Sequence, residues 1–155
     1  MKHYNRMMRI AELPYLEDSS VYYEKTRHLK WPVFLDSSYQ KGMPKSEIAR
    51  YDIIAAEPFI RCISDENGIY LEDINGKKKV DSAPLKFLEE IMQKYPVKNT
   101  ELPFVGGAIG YLSYDLNNTS QKNTLIPKMM LGIYDWAIVV DHLDSKTWLI
   151  QNNFD

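Results

Sequence analysis

The chain has 155 residues, of which 45% are hydrophobic and 26% charged, and its formal charge is −2 at pH 7. This composition is ordinary for one soluble domain and argues against intrinsic disorder. The longest run of like charge is Lys77-Lys78-Lys79, and the even balance of charges argues against a nucleic-acid or anionic-membrane partner.

The apolar runs are too short to span a bilayer, and the first residues carry charges where a signal peptide has its apolar centre. We therefore expect a cytoplasmic protein. The one cysteine, Cys62, excludes an internal disulfide and a CxxC metal or redox pair. Its apolar neighbours favour a buried, inert thiol over a nucleophile.

Two segments have the pattern of helices. In "EDSSVYYEKTRHL" the candidates for the N-cap are Asp18, Ser19 and Ser20. In "SAPLKFLEEIMQKYP" Ser82 is the predicted cap and Pro84 suits the first turn. The second segment also carries an apolar stripe at helical spacing, made of Leu85, Leu88, Ile91, Met92 and Tyr95.

Most of the remaining chain has the pattern of strands and turns, because β-branched and aromatic residues alternate with turn signals. Asn67-Gly68 and Asn75-Gly76 predict type I′ turns, and with them a three-stranded meander from Phe59 to Val80. The sequence predicts one antiparallel-rich α+β domain over residues 1–155. The other predicted strand segments are "PVFLDSS", "RYDIIAAEP", "FVGGAIGYLSYD" and "MMLGIYDWAIVVDHLDSKTWLIQN".

The three glycines of "LPFVGGAIGYLSYDL" do not have the pattern of a phosphate-binding loop. Such a loop leads into a helix N-terminus and, in the P-loop form, contains Gly-Lys-Ser/Thr. Here Gly106, Gly107 and Gly110 precede a tyrosine-rich strand instead. We therefore expect a bulge or a close approach by another backbone.

The sequence contains no self-contained catalytic or metal-binding set. His3, His28 and His142 are scattered and lack a metal-ligand spacing. The "DHLD" block around His142 and Asp144 is interpreted as a solvated hairpin turn, with Ser145 at its tip. The sequence thus predicts no catalytic residue and no metal ligand in this chain.

A binding site is the remaining hypothesis. "FLDSS" ends one predicted strand and "ARYD" opens the next, so Ser37, Arg50 and Tyr51 come together if those strands pair. They could then receive the carboxylate and ring of a small amphipathic ligand. The alternative is a strand-end serine and an arginine on the surface.

Four blocks occur in the order and spacing of a known family: "VFLDSS", "ARYDIIAAEP", "LPFVGGAIGYLSYDL" and "GIYDWAIVVDH". From about Leu13 to Asn152 the chain resembles the N-terminal region of the anthranilate synthase and aminodeoxychorismate synthase component I enzymes. "RYDIIAAEP" and "YDW" look more like the aminodeoxychorismate branch. The resemblance implies an antiparallel β-rich, sandwich-like domain with two or more flanking helices.

The resemblance also implies a function for the parent protein. A component I of the aminodeoxychorismate branch converts chorismate and ammonia to 4-amino-4-deoxychorismate, in 4-aminobenzoate and folate synthesis. It uses Mg²⁺, and a glutamine amidotransferase delivers the ammonia. The family's catalytic and Mg²⁺ residues lie in a C-terminal region that is absent here, so this chain should be an inactive fragment.

The same family carries an L-tryptophan pocket in its N-terminal region. Matched by motif, this pocket falls on Ser37, Ile48, Ala49, Arg50 and Tyr51. In the family it is completed by residues from the C-terminal region, so the resemblance implies a partial pocket. Two alternatives remain open: the N-terminal region of an anthranilate synthase component I, and a free-standing amino-acid-binding regulatory module.

Overall fold

A computed structural model describes residues 8–97, 100–114, 116 and 126–153. In chain order the elements are β1 (Met8–Leu13), α1 (Ser20–Thr26), β2 (Val33–Leu35), β3 (Tyr51–Ala55), β4 (Ile60–Asp65), β5 (Gly68–Asp73), β6 (Gly76–Val80), α2 (Pro84–Lys94), β7 (Gly107–Leu112), β8 (Met129–Tyr134), β9 (Trp136–Asp141) and β10 (Lys146–Asn152). The chain divides into two compact units, and each unit is built from more than one stretch of the sequence. The extent of one domain over residues 1–155 stays a prediction.

The first unit comprises Met1–Glu57, Val97–Gly106 and Asp135–Asp155. Its five-stranded sheet has the order β1-β10-β9-β3-β2, and every neighbouring pair is antiparallel. Successive side chains of a strand point to opposite faces. On β9, Ile138 and Val140 therefore pack with Tyr22 of α1 and Ile54, whereas Val139 packs with Val105 and Ile150.

The second unit comprises Pro58–Pro96 and Gly107–Tyr134. Its sheet has the order β6-β5-β4-β8-β7 and is also antiparallel throughout. Helix α2 packs Phe87 and Ile91 into the core of this unit, beside Cys62. In the part of the chain that the structure describes, two antiparallel sheets and two helices confirm the predicted α+β class and the meander of β4, β5 and β6.

Both predicted helices are present, but details of α2 differ from the prediction. Ser82 does not cap it: the N-cap is Ala83, which makes no side-chain capping bond, and Ser82 Oγ donates to the Ala83 carbonyl instead. Leu85 is half exposed, and Phe87 takes its place in the core. Phe87, Ile91 and Tyr95 follow a four-residue spacing that brings one face of the helix onto the sheet.

The two Asn-Gly turns lie where the sequence places them but are not type I′. That turn needs positive φ at both central residues. The central residues are Glu66-Asn67 and Ile74-Asn75, and the positive φ falls on the glycine that follows each pair. Each turn is held by an aspartate, because Asp65 and Asp73 accept the backbone N–H of the asparagine two residues later.

Gly110 on β7 explains part of the glycine-rich stretch. A Cβ built at this position would lie 1.9 Å from the carbonyl oxygen of Met130 on the neighbouring strand. Only a residue without a side chain permits this approach. The close backbone approach expected for the stretch is therefore confirmed at Gly110.

Candidate functional site

A buried carboxylate, Asp52 on β3, connects several segments of the first unit. Its Oδ1 accepts the backbone N–H of Ser37 at 2.7 Å, just after β2. Its Oδ2 accepts the hydroxyl of Ser19, before α1, at 2.5 Å. The same oxygen lies 2.8 Å from Nε2 of His142, in the turn between β9 and β10. Asp52 thus ties two loops and a turn to one strand.

His142 is enclosed by aromatic side chains. Tyr39 stacks on its ring at 4.3 Å between centroids, and Tyr15 packs edge-on at 5.9 Å. The Tyr15 hydroxyl lies 3.1 Å from Nδ1. Burial raises the pKa of this hydroxyl, so it keeps its proton and is able to donate to the ring. Both ring nitrogens of His142 therefore have partners.

The "DHLD" block forms the predicted turn with Asp144 and Ser145 exposed, but the interpretation as solvated is wrong for Asp141 and His142. Asp141 and His142 are each only 1% exposed. Asp141 accepts the backbone N–H groups of Leu143 and Asp144, which turns the chain, and His142 points inward to Asp52. Charged and polar groups that are buried need partners, and here Arg50 and Asp52, both distant in the sequence, supply them.

Asp52 was also missed as a site residue, although it lies inside the apolar strand "YDIIAA". Lys, Glu, Arg and Asp are almost never fully buried without a partner. Burial alone raises the pKa of the Asp52 carboxyl, but hydrogen bonds from His142, Ser19 and the Ser37 backbone outweigh burial. The pKa of Asp52 consequently lies below its ordinary value, and the group is a carboxylate at neutral pH.

This cluster is not arranged as a serine nucleophile with its base. A nucleophilic serine needs its hydroxyl hydrogen-bonded to the imidazole. Here Ser19 Oγ donates to Asp52, which also holds His142. The arrangement holds loops together and presents no activated oxygen.

The predicted ligand residues are only partly brought together. β2 and β3 pair antiparallel with Leu35 opposite Ile53, so the pairing on which the pocket hypothesis rests is present. Ser37 follows β2, and its buried Oγ makes no well-aligned hydrogen bond among the described residues, although it lies near enough to Asp52 to help lower the pKa of that carboxyl. In contrast, Ile48 is 95% exposed, and the Ala49 N–H donates to Ser46 Oγ.

Arg50 already has three carboxylate partners. It donates from Nε and Nη2 to Asp141 at 3.0–3.2 Å, from Nη1 to Glu47 at 2.9 Å, and from Nη2 to Asp144 at 3.3 Å. Its guanidinium carbon lies 4.7 Å from the centroid of the Tyr51 ring. These hydrogen bonds raise the pKa of Arg50 above its ordinary value, with those to Asp141 contributing most. The structure therefore uses Arg50 to hold the β9–β10 turn against β3.

A cleft of about 620 Å³ lies beside the Asp52 cluster. This volume is in the range of small-molecule sites. Its apolar wall includes Phe34 and Tyr39, whereas Asp36 and Asp52 contribute carboxylates. None of the five predicted ligand residues lines this cleft. Its lining comprises Leu16, Glu17, Asp18, Ser19, Ser20, Val21, Phe34, Asp36, Tyr39, Gln40, Lys41 and Asp52.

The described part of the chain has neither a cluster of metal-ligand side chains nor a membrane-spanning helix. No group of three or more His, Cys, Asp or Glu side chains there is arranged to hold a metal ion. Neither α1 nor α2 is long and apolar enough to cross a membrane.

Comparisons with known proteins were made by sequence and by fold. No protein-family model matches the chain. Over 142 residues it is 29% identical to "Aminodeoxychorismate synthase component 1" of Escherichia coli (strain K12), which covers 85% of this chain and 30% of that protein. Over 138 residues it is 31% identical to "Anthranilate synthase alpha subunit 2, chloroplastic" of Arabidopsis thaliana, which covers 77% of this chain and 22% of that protein.

A solved structure agrees with these matches. Anthranilate synthase component I from Streptococcus pneumoniae TIGR4 matches with a TM-score of 0.57 and 30% identity, over 72% of this chain and 26% of that one. The chain is therefore homologous, over most of its length, to component I of the aminodeoxychorismate and anthranilate synthases. It spans less than a third of the length of these relatives. The match also confirms the fold expected from the resemblance.

Proposed function

We propose that the chain is the N-terminal, non-catalytic part of an aminodeoxychorismate synthase component I. The Escherichia coli relative of that name aligns with 85% of the chain, and the blocks "RYDIIAAEP" and "YDW" have the form expected of this branch. The parent enzyme would convert chorismate and ammonia to 4-amino-4-deoxychorismate. In this proposal the 155-residue chain has no synthase activity by itself.

In this proposal, the ammonia source and the metal ion that the parent enzyme needs lie outside this chain. A glutamine amidotransferase subunit would supply ammonia, in keeping with relatives that are named as one component of a synthase. Mg²⁺ would act in the parent's C-terminal region, and the described residues hold no three-residue group suited to it.

The role proposed for this part is to hold L-tryptophan at the paired ends of β2 and β3. The observation that carries the pocket is the buried Oγ of Ser37, which lies near the Asp52 carboxylate but makes no well-aligned hydrogen bond in the described part of the chain. A buried hydroxyl without a partner costs free energy, and a ligand carboxylate or ammonium would remove that cost. The Ser37 backbone is fixed by Asp52, so its side chain is held in one place.

The other predicted residues take different parts in this proposal. Tyr51, Ile48 and Ala49 would face the indole ring, since Ile48 is exposed and free to be covered. Arg50 would position Tyr51 from its place over that ring, because its donors are committed to Asp141, Glu47 and Asp144. This assignment replaces the direct capture of a carboxylate by Arg50.

Calorimetric titration of the chain with L-tryptophan tests the pocket. Ser37→Ala should weaken binding about ten- to 150-fold, since one hydrogen bond to a charged group contributes about 1.5–3 kcal/mol. Ser82→Ala, which removes a hydroxyl in the other unit, is the matched control and should bind as the unchanged chain does. Equal affinity of the Ser37 variant would show that the pocket is elsewhere, and no heat from the unchanged chain would show that it is incomplete.

Gene disruption in the organism tests whether the parent protein is an aminodeoxychorismate synthase or an anthranilate synthase. Disruption of the parent gene should create a requirement for 4-aminobenzoate. A requirement for tryptophan would instead establish an anthranilate synthase component I, the second candidate. That candidate is favoured by the 31% identity to the Arabidopsis protein and by the Streptococcus structure.

A further inference from the structure

Two Asn-Gly pairs in the second unit have the same sequence and the same local turn. Asn67-Gly68 joins β4 to β5, and Asn75-Gly76 joins β5 to β6. In each turn the asparagine N–H donates to the aspartate two residues earlier at 2.8 Å. Neither asparagine side chain has a hydrogen-bond partner among the described residues. Both amides are therefore chemically available.

The surroundings of the two glycines differ. Around Gly76 nothing lies within 4 Å of the position a Cβ would occupy, and the preceding Ile74 is 99% exposed. At Gly68 the Lys79 side chain covers that position, with its Cε at 2.7 Å and its Nζ at 3.3 Å. One glycine is open to water and the other is covered.

The strands that flank the turns differ as well. β4 and β5 each have a neighbour on both sides, whereas β6 is an edge strand paired only with β5. Edge strands and hairpin tips open locally at a lower free-energy cost than central strands. The Asn75 turn can thus leave its folded backbone conformation more readily than the Asn67 turn.

We propose that Asn75 is a site of spontaneous deamidation in the folded protein, and that the fold protects Asn67. Asparagine is a thermolabile residue, and a following glycine lets the backbone approach closely because it has no Cβ. The Gly76 nitrogen gives its proton to water and attacks Cγ of Asn75. The new N–Cγ bond closes a succinimide, the Cγ–Nδ2 bond breaks, and ammonia leaves with the proton returned by water.

One water molecule then opens the ring. Cleavage at one carbonyl gives aspartate and cleavage at the other gives isoaspartate, and neither step needs an oxidant or a reductant. Either product adds a negative charge beside Asp73. Isoaspartate also adds a methylene to the main chain, which displaces Gly76 from its pairing with Asp73 at the start of β6. The expected consequence is a loosened edge strand.

Mass spectrometry of aged protein tests this inference. The chain is kept at mildly alkaline pH, in native buffer or in denaturing guanidinium, and then digested briefly at mildly acidic pH. Trypsin cleaves after Arg61 and Lys77, so one peptide contains both asparagines and its fragment ions report each site separately. In native buffer Asn75 should lose its amide several-fold faster than Asn67, and in guanidinium this difference should disappear.

Two variants test whether the surroundings of each glycine cause the difference in deamidation rate between Asn67 and Asn75. Lys79→Ala should accelerate the reaction at Asn67 in native buffer and leave Asn75 unchanged, because it uncovers Gly68 alone. Gly76→Ala should slow the reaction at Asn75 and leave Asn67 unchanged. The inference is overturned if Asn67 reacts as fast as Asn75 in the folded chain, if the native difference persists in guanidinium, or if Asn75 reacts only after unfolding.

Discussion

Nε2 of His142 lies 2.8 Å from Oδ2 of Asp52, and the side chains are only 1% and 4% exposed. Asp52→Asn keeps the shape of the side chain but replaces one carboxylate oxygen with an NH₂ group. His142 and Ser19 then face either that NH₂ group or a neutral amide oxygen, which is a weaker acceptor than a carboxylate. Removing one partner of such a buried set should cost about 2–4 kcal/mol of unfolding free energy. Urea denaturation measures this loss.

Asp81→Asn is the matched control for Asp52→Asn, because it makes the same chemical change at an exposed position. Surface substitutions of this kind usually change stability by about 0.5 kcal/mol or less. If both variants unfold at the same urea concentration, the Asp52 cluster does not stabilise the fold.

Stability should fall in acid for a reason that can be assigned to Asp52. Its folded pKa is below its unfolded value, so its contribution is complete above the unfolded pKa of about 3.9 and is lost as pH falls through the folded pKa. Asp135 behaves in the opposite way. Burial raises its folded pKa, so its contribution is present at low pH and is lost as pH rises through that pKa.

The two aspartates therefore give opposite variants for one experiment. Between about pH 5 and pH 2, Asp52→Asn should flatten the plot of unfolding free energy against pH, and Asp135→Asn should steepen it. Urea titrations at several pH values measure both slopes. A steeper acid limb in the Asp52 variant would contradict the lowered pKa.

Gly110→Ala should be much more costly than Gly76→Ala, although both glycines have positive φ. At Gly76 the new Cβ meets nothing within 4 Å, so only backbone strain of about 1–2 kcal/mol remains. At Gly110 it would collide with the Met130 carbonyl and force β7 from β8. An added cost of about 1–3 kcal/mol is expected from such overpacking. Thermal unfolding of the two variants compares them directly.

Cys62 should be unreactive until the protein unfolds. Burial raises the pKa of its thiol to about 11, and the thiolate is the reactive form. Ellman's reagent at neutral pH should therefore label almost none of the native chain and all of the urea-denatured chain. Rapid labelling of the native chain would mean that the core of the second unit opens readily.

Local sequence signals predict those elements whose partners lie close in the chain. Helix α2 and the β4–β6 meander follow from patterns within about a dozen residues, and both are present. Strand β1 was missed because Arg9 and Glu12 interrupt its apolar pattern and its pairing is supplied by β10, with Met8 opposite Asn152. A strand formed by a distant partner leaves little trace in its own composition.

The candidate site shows the same limit. Ser37, Arg50 and Tyr51 could be associated because β2 and β3 are adjacent in the chain and pair. The contact of Asp52 with His142 joins residues 90 positions apart, and no local pattern encodes it. The role of Arg50 was misread for a related reason, because its partner Asp141 is equally distant in the sequence.

The two units are interleaved along the chain, since the first takes three stretches of sequence and the second takes the two between them. Neither unit can be cloned as one continuous segment. During synthesis, β1 must also remain without its partner until β10 emerges from the ribosome, because these strands pair with each other. The sheet of the first unit therefore cannot be completed before β10 has been made, and until then the unpaired β1 is exposed to wrong pairing.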